Sequence, residues 1–215
     1  MPGYLLSDLA VHIKKAGENP DVHVIVLSSG GDRTFCAGAS FDELITITNS
    51  EDGKKFFLGF AHVINAMRKC PKIIICRVHG KAIGGGVGIA AAADYCMATN
   101  YGTIKLSELA LGIGPFVIGP AVERKIGLSA FSQLALNATE WQTAIWAKEK
   151  GLYHEVFDSI EQLDAYVDEL SQRLAATSSS ALLALKQALW HDTQHWDQLL
   201  EERAGISGRL VITEA

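Results

Sequence analysis

Two glycine-rich turns are the segments of this 215-residue chain best suited to chemistry: Phe35-Cys36-Ala37-Gly38-Ala39-Ser40 and Gly80-Lys81-Ala82-Ile83-Gly84-Gly85-Gly86-Val87-Gly88. Each precedes a helix-like run and follows an apolar, strand-like one. Glycine lets a backbone approach a ligand closely. A helix start leaves N–H groups unpaired and carries a dipole that favours negative charge. One such turn alone more often permits tight packing and nothing else. Two together supply the parts of an oxyanion hole, a pair of N–H donors converging on one developing negative charge. Other uses of glycine turns do not fit. Gly84-Gly85-Gly86-Val87-Gly88 is not G-x-G-x-x-G, and the segment about 20 residues on, Ile104-Lys105-Leu106, has no acidic residue to hold a ribose. No G-x-x-x-x-G-K-[ST] phosphate loop is present, and Ser40 lies in no G-x-S-x-G elbow, so it reads as a helix N-cap.

The elements that must position these turns follow from hydrophobic period. Leu5 to Ala16, Phe41 to Ile47 and Lys54 to Lys69 carry apolar residues at helical spacing, the last stopped by Pro71. Val22 to Leu27 and Ile73 to Val78 are apolar runs rich in β-branched residues and read as buried strands. Gly85 to Ala93 is small and apolar, the composition of a buried helix. Tyr95 to Ala98 and Thr103 to Leu106 are short strand candidates. From Phe116 onward the pattern is helical almost to the end. Strand–helix repeats followed by a helical portion predict an α/β fold with parallel crossovers.

Bulk properties bound the function. The formal charge of -5 gives no basic surplus for nucleic acid. No apolar run reaches the roughly 18 residues of a membrane span, and no signal peptide is visible, so no membrane partner is expected. Cys36, Cys70, Cys76 and Cys96 show no C-x-x-C spacing. Cys76 and Cys96 sit in apolar runs and read as buried free thiols, which suits a reducing, cytoplasmic compartment. Asp94, His79 and the four tryptophans read as structural side chains, with His79 a satisfied histidine at a strand end.

In order and spacing, Phe35 to Ala39, Val78-His79-Gly80-Lys81-Ala82-Ile83-Gly84-Gly85-Gly86, Ala92-Ala93-Asp94-Tyr95 and Glu108-Leu109-Ala110-Leu111-Gly112-Ile113 resemble the crotonase (enoyl-CoA hydratase/isomerase) superfamily from about Leu5 to about Arg203. The resemblance implies a spiral of ββα turns over residues 1–130 and a helical, trimerising region over 131–215. It implies an acyl-CoA thioester as substrate, with coenzyme A belonging to the substrate and no other cofactor and no metal. The thioester oxygen would lie between the N–H groups of Ala39 and Gly85, and Glu108 would be the acid/base. Ala37, Gly84, Leu111, Gly112, Pro115 and Phe116 would border the substrate, the last within an apolar stretch suited to a fatty or branched acyl chain. A homotrimer or homohexamer is implied as well.

The chain departs from the family's pattern in two respects. Members that add water typically use two glutamates, and the position two residues after the glycine triplet is here Gly88. One carboxylate suffices to take a proton from one carbon and return it to another, so double-bond isomerisation is preferred over hydration. A catalytically silent binding subunit is the alternative from another class. Both ends also look abbreviated relative to the family, which usually has a preceding hairpin with Arg-Pro-x-x-x-Asn-Ala and a further C-terminal helix. Lys81 is a weak candidate for a coenzyme A phosphate.

Overall fold

In the computed structural model, which describes residues 1–213, the chain alternates strands and helices from its first turn. Helix α1 (Gly3–Glu18) leads into β1 (Val24–Leu27) and β2 (Thr34–Cys36). The short α2 (Phe41–Leu44) and the long α3 (Ser50–Lys69) follow. Then come β3 (Ile73–Val78), β4 (Lys81–Ile83), α4 (Gly85–Ala92), β5 (Tyr95–Thr99) and β6 (Ile104–Lys105). A 3₁₀ turn at Glu108–Leu111 opens the remainder: α5 (Gly119–Leu136), α6 (Ala144–Glu149), β7 (Glu155–Phe157), α7 (Ile160–Ala175), α8 (Ser179–Leu189) and α9 (Trp196–Leu210).

The strands sort by parity. One sheet runs β1-β3-β5-β7 and the other β2-β4-β6, and every pairing is parallel. Each turn of the chain therefore adds one strand to each sheet before a helix or the 3₁₀ turn follows. That is a ββα spiral, and it is the α/β fold class the sequence implied. β3 lies between β1 and β5 and is buried at five of its six residues, as expected for a parallel strand covered on both faces.

Sequence reasoning missed three strands. β2 and β4 have three residues each and lie inside segments that read as glycine turns, too short to show a period. β7 interrupts a stretch that read as helical throughout and pairs with β5 at the sheet's edge, so the region after 131 is helical with one strand returned to the core.

Helix α4 is buried at every position. Small side chains on all its faces let α3, α5 and β4 pack around it. The N-caps are side-chain oxygens where the sequence supplies them: Ser40 accepts from the Glu43 N–H, Asn49 from Asp52 and Ser159 from Gln162.

A buried ion pair ties α8 to this core. Lys186 Nζ lies 2.8 Å from Asp94 Oδ2, and both side chains are 3% exposed. The same carboxylate accepts from the Ile74 N–H at 2.8 Å and from Trp190 Nε1 at 2.7 Å, while Lys186 also donates to the Lys72 carbonyl. Asp94 is thus the structural hub expected of it. Removing one partner of a buried pair strands the other charge, at a cost of about 3–5 kcal/mol. Lys186→Met should lower unfolding stability by that amount in a denaturant titration. Truncating the exposed Lys54–Glu201 pair should change it little.

Candidate active site

β2 and β4 are neighbours in the second sheet, so the glycine turns that follow them emerge side by side. Gly38 has φ 82° and Gly84 has φ 52°. Gly84 adds ψ -116°, a combination that L side chains avoid. It reverses the chain at the end of β4 so that α4 can start at Gly85. A Cβ on Gly38 would lie 3.5 Å from the Gly85 nitrogen, so the two turns are in contact. The N–H groups of Ala39 and Gly85 donate to no acceptor among the described residues. Both residues line one cavity of about 220 Å³.

Glu108 opens the 3₁₀ turn and lines the same cavity. Gly112 ends that turn at φ 73°, and its N–H and that of Ile113 close it onto the Leu109 and Glu108 carbonyls. The carboxyl is directed at Gly84: a Cβ there would lie 2.9 Å from Oε1. A glycine at 84 therefore serves twice, for its backbone angle and for the space it leaves the carboxyl. Oε2 is enclosed and has no hydrogen-bond partner. Burial pushes the Glu108 carboxyl up to about 7, with the backbone of Glu108 and Ser107 pulling weakly the other way. Such a group is poised to exchange a proton near neutrality.

The rest of the wall is apolar. Phe56, Phe57 and Phe60 come from α3, Leu44 from α2, and Val117 and Ile118 from the approach to α5. Ser107, Glu108 and Ser207 are the polar side chains on it. At Gly88 a Cβ would lie 2.5 Å from Ile118 Cγ2. The position that would hold the second carboxylate of a two-glutamate site is packed by an isoleucine.

The structure brings together most of the residues singled out in the sequence. Ala37, Ala39, Gly84, Gly85, Glu108, Leu111, Pro115 and Phe116 all line the cavity. Gly112 does not. It is exposed and shapes the turn that carries Glu108. Lys81 is also elsewhere, on the outside of β4 with its Nζ 5.2 Å from the Trp141 ring. His79 is buried as expected but not satisfied, since neither ring nitrogen has a partner. Burial, then the nearby Arg77, lowers its pKa. The α3 phenylalanines and Ser207 of α9 escaped the sequence reading. An apolar helical stripe looks the same whether it faces a core or a cavity, and nothing local says that α9 folds back onto α3. No group of three or more His, Cys, Asp or Glu among the described residues is placed to hold a metal ion.

The chain resembles known proteins along most of its length. The family model for enoyl-CoA hydratase/isomerase matches residues 3–208. The peroxisomal Delta(3,5)-Delta(2,4)-dienoyl-CoA isomerase of Arabidopsis thaliana is 30% identical over 187 residues, which are 80% of this chain and 66% of that protein. Enoyl-CoA hydratase ACTT6 of Alternaria alternata is 30% identical over 179 residues, 82% of this chain and 58% of that one. The chain thus spans under two thirds of the length of both. The crystal structure of enoyl-CoA hydratase from Bacillus halodurans superposes with a TM-score of 0.90 at 22% identity, over 99% of this chain and 86% of that one, a likeness of fold. From the spiral of paired strands to the match along residues 3–208, the observations agree that this chain belongs to the enoyl-CoA hydratase/isomerase family.

Proposed function

We propose that this protein isomerises the double bond of an enoyl-CoA thioester, with Glu108 as its single acid/base. The acyl group enters the apolar cavity and the thioester oxygen sits between the N–H groups of Ala39 and Gly85. Glu108 takes a proton from C2 of a 3-enoyl thioester. The C2–H bond pair moves into conjugation with the carbonyl and gives an enolate-like dienolate. The two N–H donors bind that anion more strongly than the neutral ester, which is what lowers a barrier. Each donor contributes roughly 2.7–4 kcal/mol. The protonated Glu108 then returns the proton to C4, leaving the double bond between C2 and C3. Only a proton moves, so the reaction needs no redox partner and no cofactor beyond the coenzyme A of the substrate.

The observation that carries this reading is the asymmetry of the cavity. One carboxyl is enclosed and raised to about 7. Gly88 is packed against the wall residue Ile118, and no second carboxylate among the described residues lines the cavity. Hydration is the second reading, and the hydroxyl-bearing Ser107 and Ser207 on the same wall favour it, as groups able to hold a water. A homotrimer or homohexamer belongs to the same proposal. Leu128 of α5 is 66% exposed and supplies apolar surface for subunit contact. The cysteines are free and buried, which supports a reducing compartment such as the cytoplasm.

Two outcomes are expected of Glu108→Gln. Offered a 3-enoyl-CoA, the native protein should generate the conjugated thioester chromophore, with an acid limb near pH 7 because only the ionised carboxylate takes the proton. The variant should lose about 10²–10⁴ in kcat. Bleaching of a 2-enoyl-CoA instead would identify a hydratase. Silence toward both would favour a binding subunit. Stability should move the other way. Folding holds this proton up to about 7 against an ordinary 4.5. The protonated form's contribution is therefore complete below 4.5 and lost as pH rises through 7. At pH 8 the variant should be more stable than the native protein by on the order of 2 kcal/mol. The advantage should vanish at acid pH.

A further inference from the structure

Two cavities meet at one short stretch of chain. Beside the proposed acyl cavity lies a second, of about 280 Å³, with Leu109, Phe131, Ala135 and Leu136 on its apolar wall and Glu123 and Arg203 as its charged lining groups. The two share Gly114, Pro115 and Phe116 and nothing else. Gly114 has no side chain and the proline ring is small, so the Phe116 ring is the partition. Its seat is tight: a Cβ on Gly114 would lie 2.6 Å from Phe116 Cε2. The Phe116 N–H donates to the Gly114 carbonyl at 2.7 Å, and the Gly119 N–H to that of Pro115 at 2.7 Å. Phe116 is only half-buried, so its loss would not hollow the core.

We propose that Phe116 sets the length of acyl chain that the protein accepts, standing as the wall between the acyl cavity and a second cavity able to take the distal methylenes of a longer chain. The inference rests on the reading of the first cavity as an acyl-thioester site. An apolar tail would be admitted on hydrophobic grounds alone, because the second cavity adjoins the first at Phe116 and its lining is mostly apolar.

The test is a chain-length series of straight-chain 3-enoyl-CoA substrates, four to twelve carbons, assayed with the native protein, Phe116→Ala, Phe116→Trp and the double variant Phe116→Ala/Ala135→Leu. Phe116→Ala should move the optimum to longer chains, with kcat/KM rising about fourfold for each methylene newly admitted. Phe116→Trp should move it to shorter ones. Ala135 lines the second cavity alone, so Ala135→Leu should cancel the gain. Parallel profiles for native protein and Phe116→Ala would overturn the proposal. So would a gain that survives Ala135→Leu, which would place the tail elsewhere or a second copy of the chain over that cavity. Calorimetric binding of saturated acyl-CoAs of the same lengths separates this proposal from the reaction assignment. A shifted affinity ladder without turnover sinks the isomerase reading and keeps the partition. Absence of acyl-CoA binding in every variant sinks both.

Discussion

A carboxyl enclosed among hydrocarbon with one oxygen unpartnered destabilises a fold, because the charged form loses its hydration and recovers only part of it in hydrogen bonds. Glu108 is in that position, and much of the neighbouring chain is arranged around it. The 3₁₀ turn closed by Gly112 places it. Gly84 yields the space its Oε1 occupies. Phenylalanines of α3 and Ile118 keep water from its surroundings. The parallel pairing of β2 with β4 brings the Ala39 and Gly85 turns against the same cavity. A buried, incompletely partnered titratable group on the wall of a cavity is the pattern of a candidate site for chemistry.

Asp94 shows the contrast. Its side chain is 3% exposed, but Lys186, Trp190 and the Ile74 N–H satisfy its oxygens and turn it into a tie between β3 and α8. Two carboxylates in one chain thus differ in environment, decided by their hydrogen-bond partners. His79 is a third buried polar group, with both ring nitrogens unpartnered. It lies off the cavity wall, so enclosure alone does not make a side chain part of the site.

Much of this was legible in the residues. Long, strongly patterned elements such as α3 and β3 appear where their periods placed them, and Ser40 caps α2 as its type suggested. The glycine turns pointed to a pair of N–H donors, and it was the family resemblance that singled out Ala39 and Gly85, both of which line the cavity. β2, β4 and β7 were not legible, since three residues carry no period and their pairing comes from distant strands. Gly112, expected to border the substrate, lies off the cavity wall for a related reason. A residue within a promising segment can serve its backbone angle instead of its surface. The α3 phenylalanines and Ser207 were invisible as wall residues because tertiary packing, not local pattern, turns a helix face toward a cavity.

The central claim is that one enclosed carboxyl carries a proton between two carbons. A single-turnover experiment with a 3-enoyl-CoA deuterated at C2 tests it most directly. A lone shuttle shielded from solvent should deliver a measurable part of the label to C4 of the 2-enoyl product, read by mass spectrometry or NMR. Complete loss of the label to water, with the product formed at full rate, would contradict a single enclosed base and point to a second proton carrier.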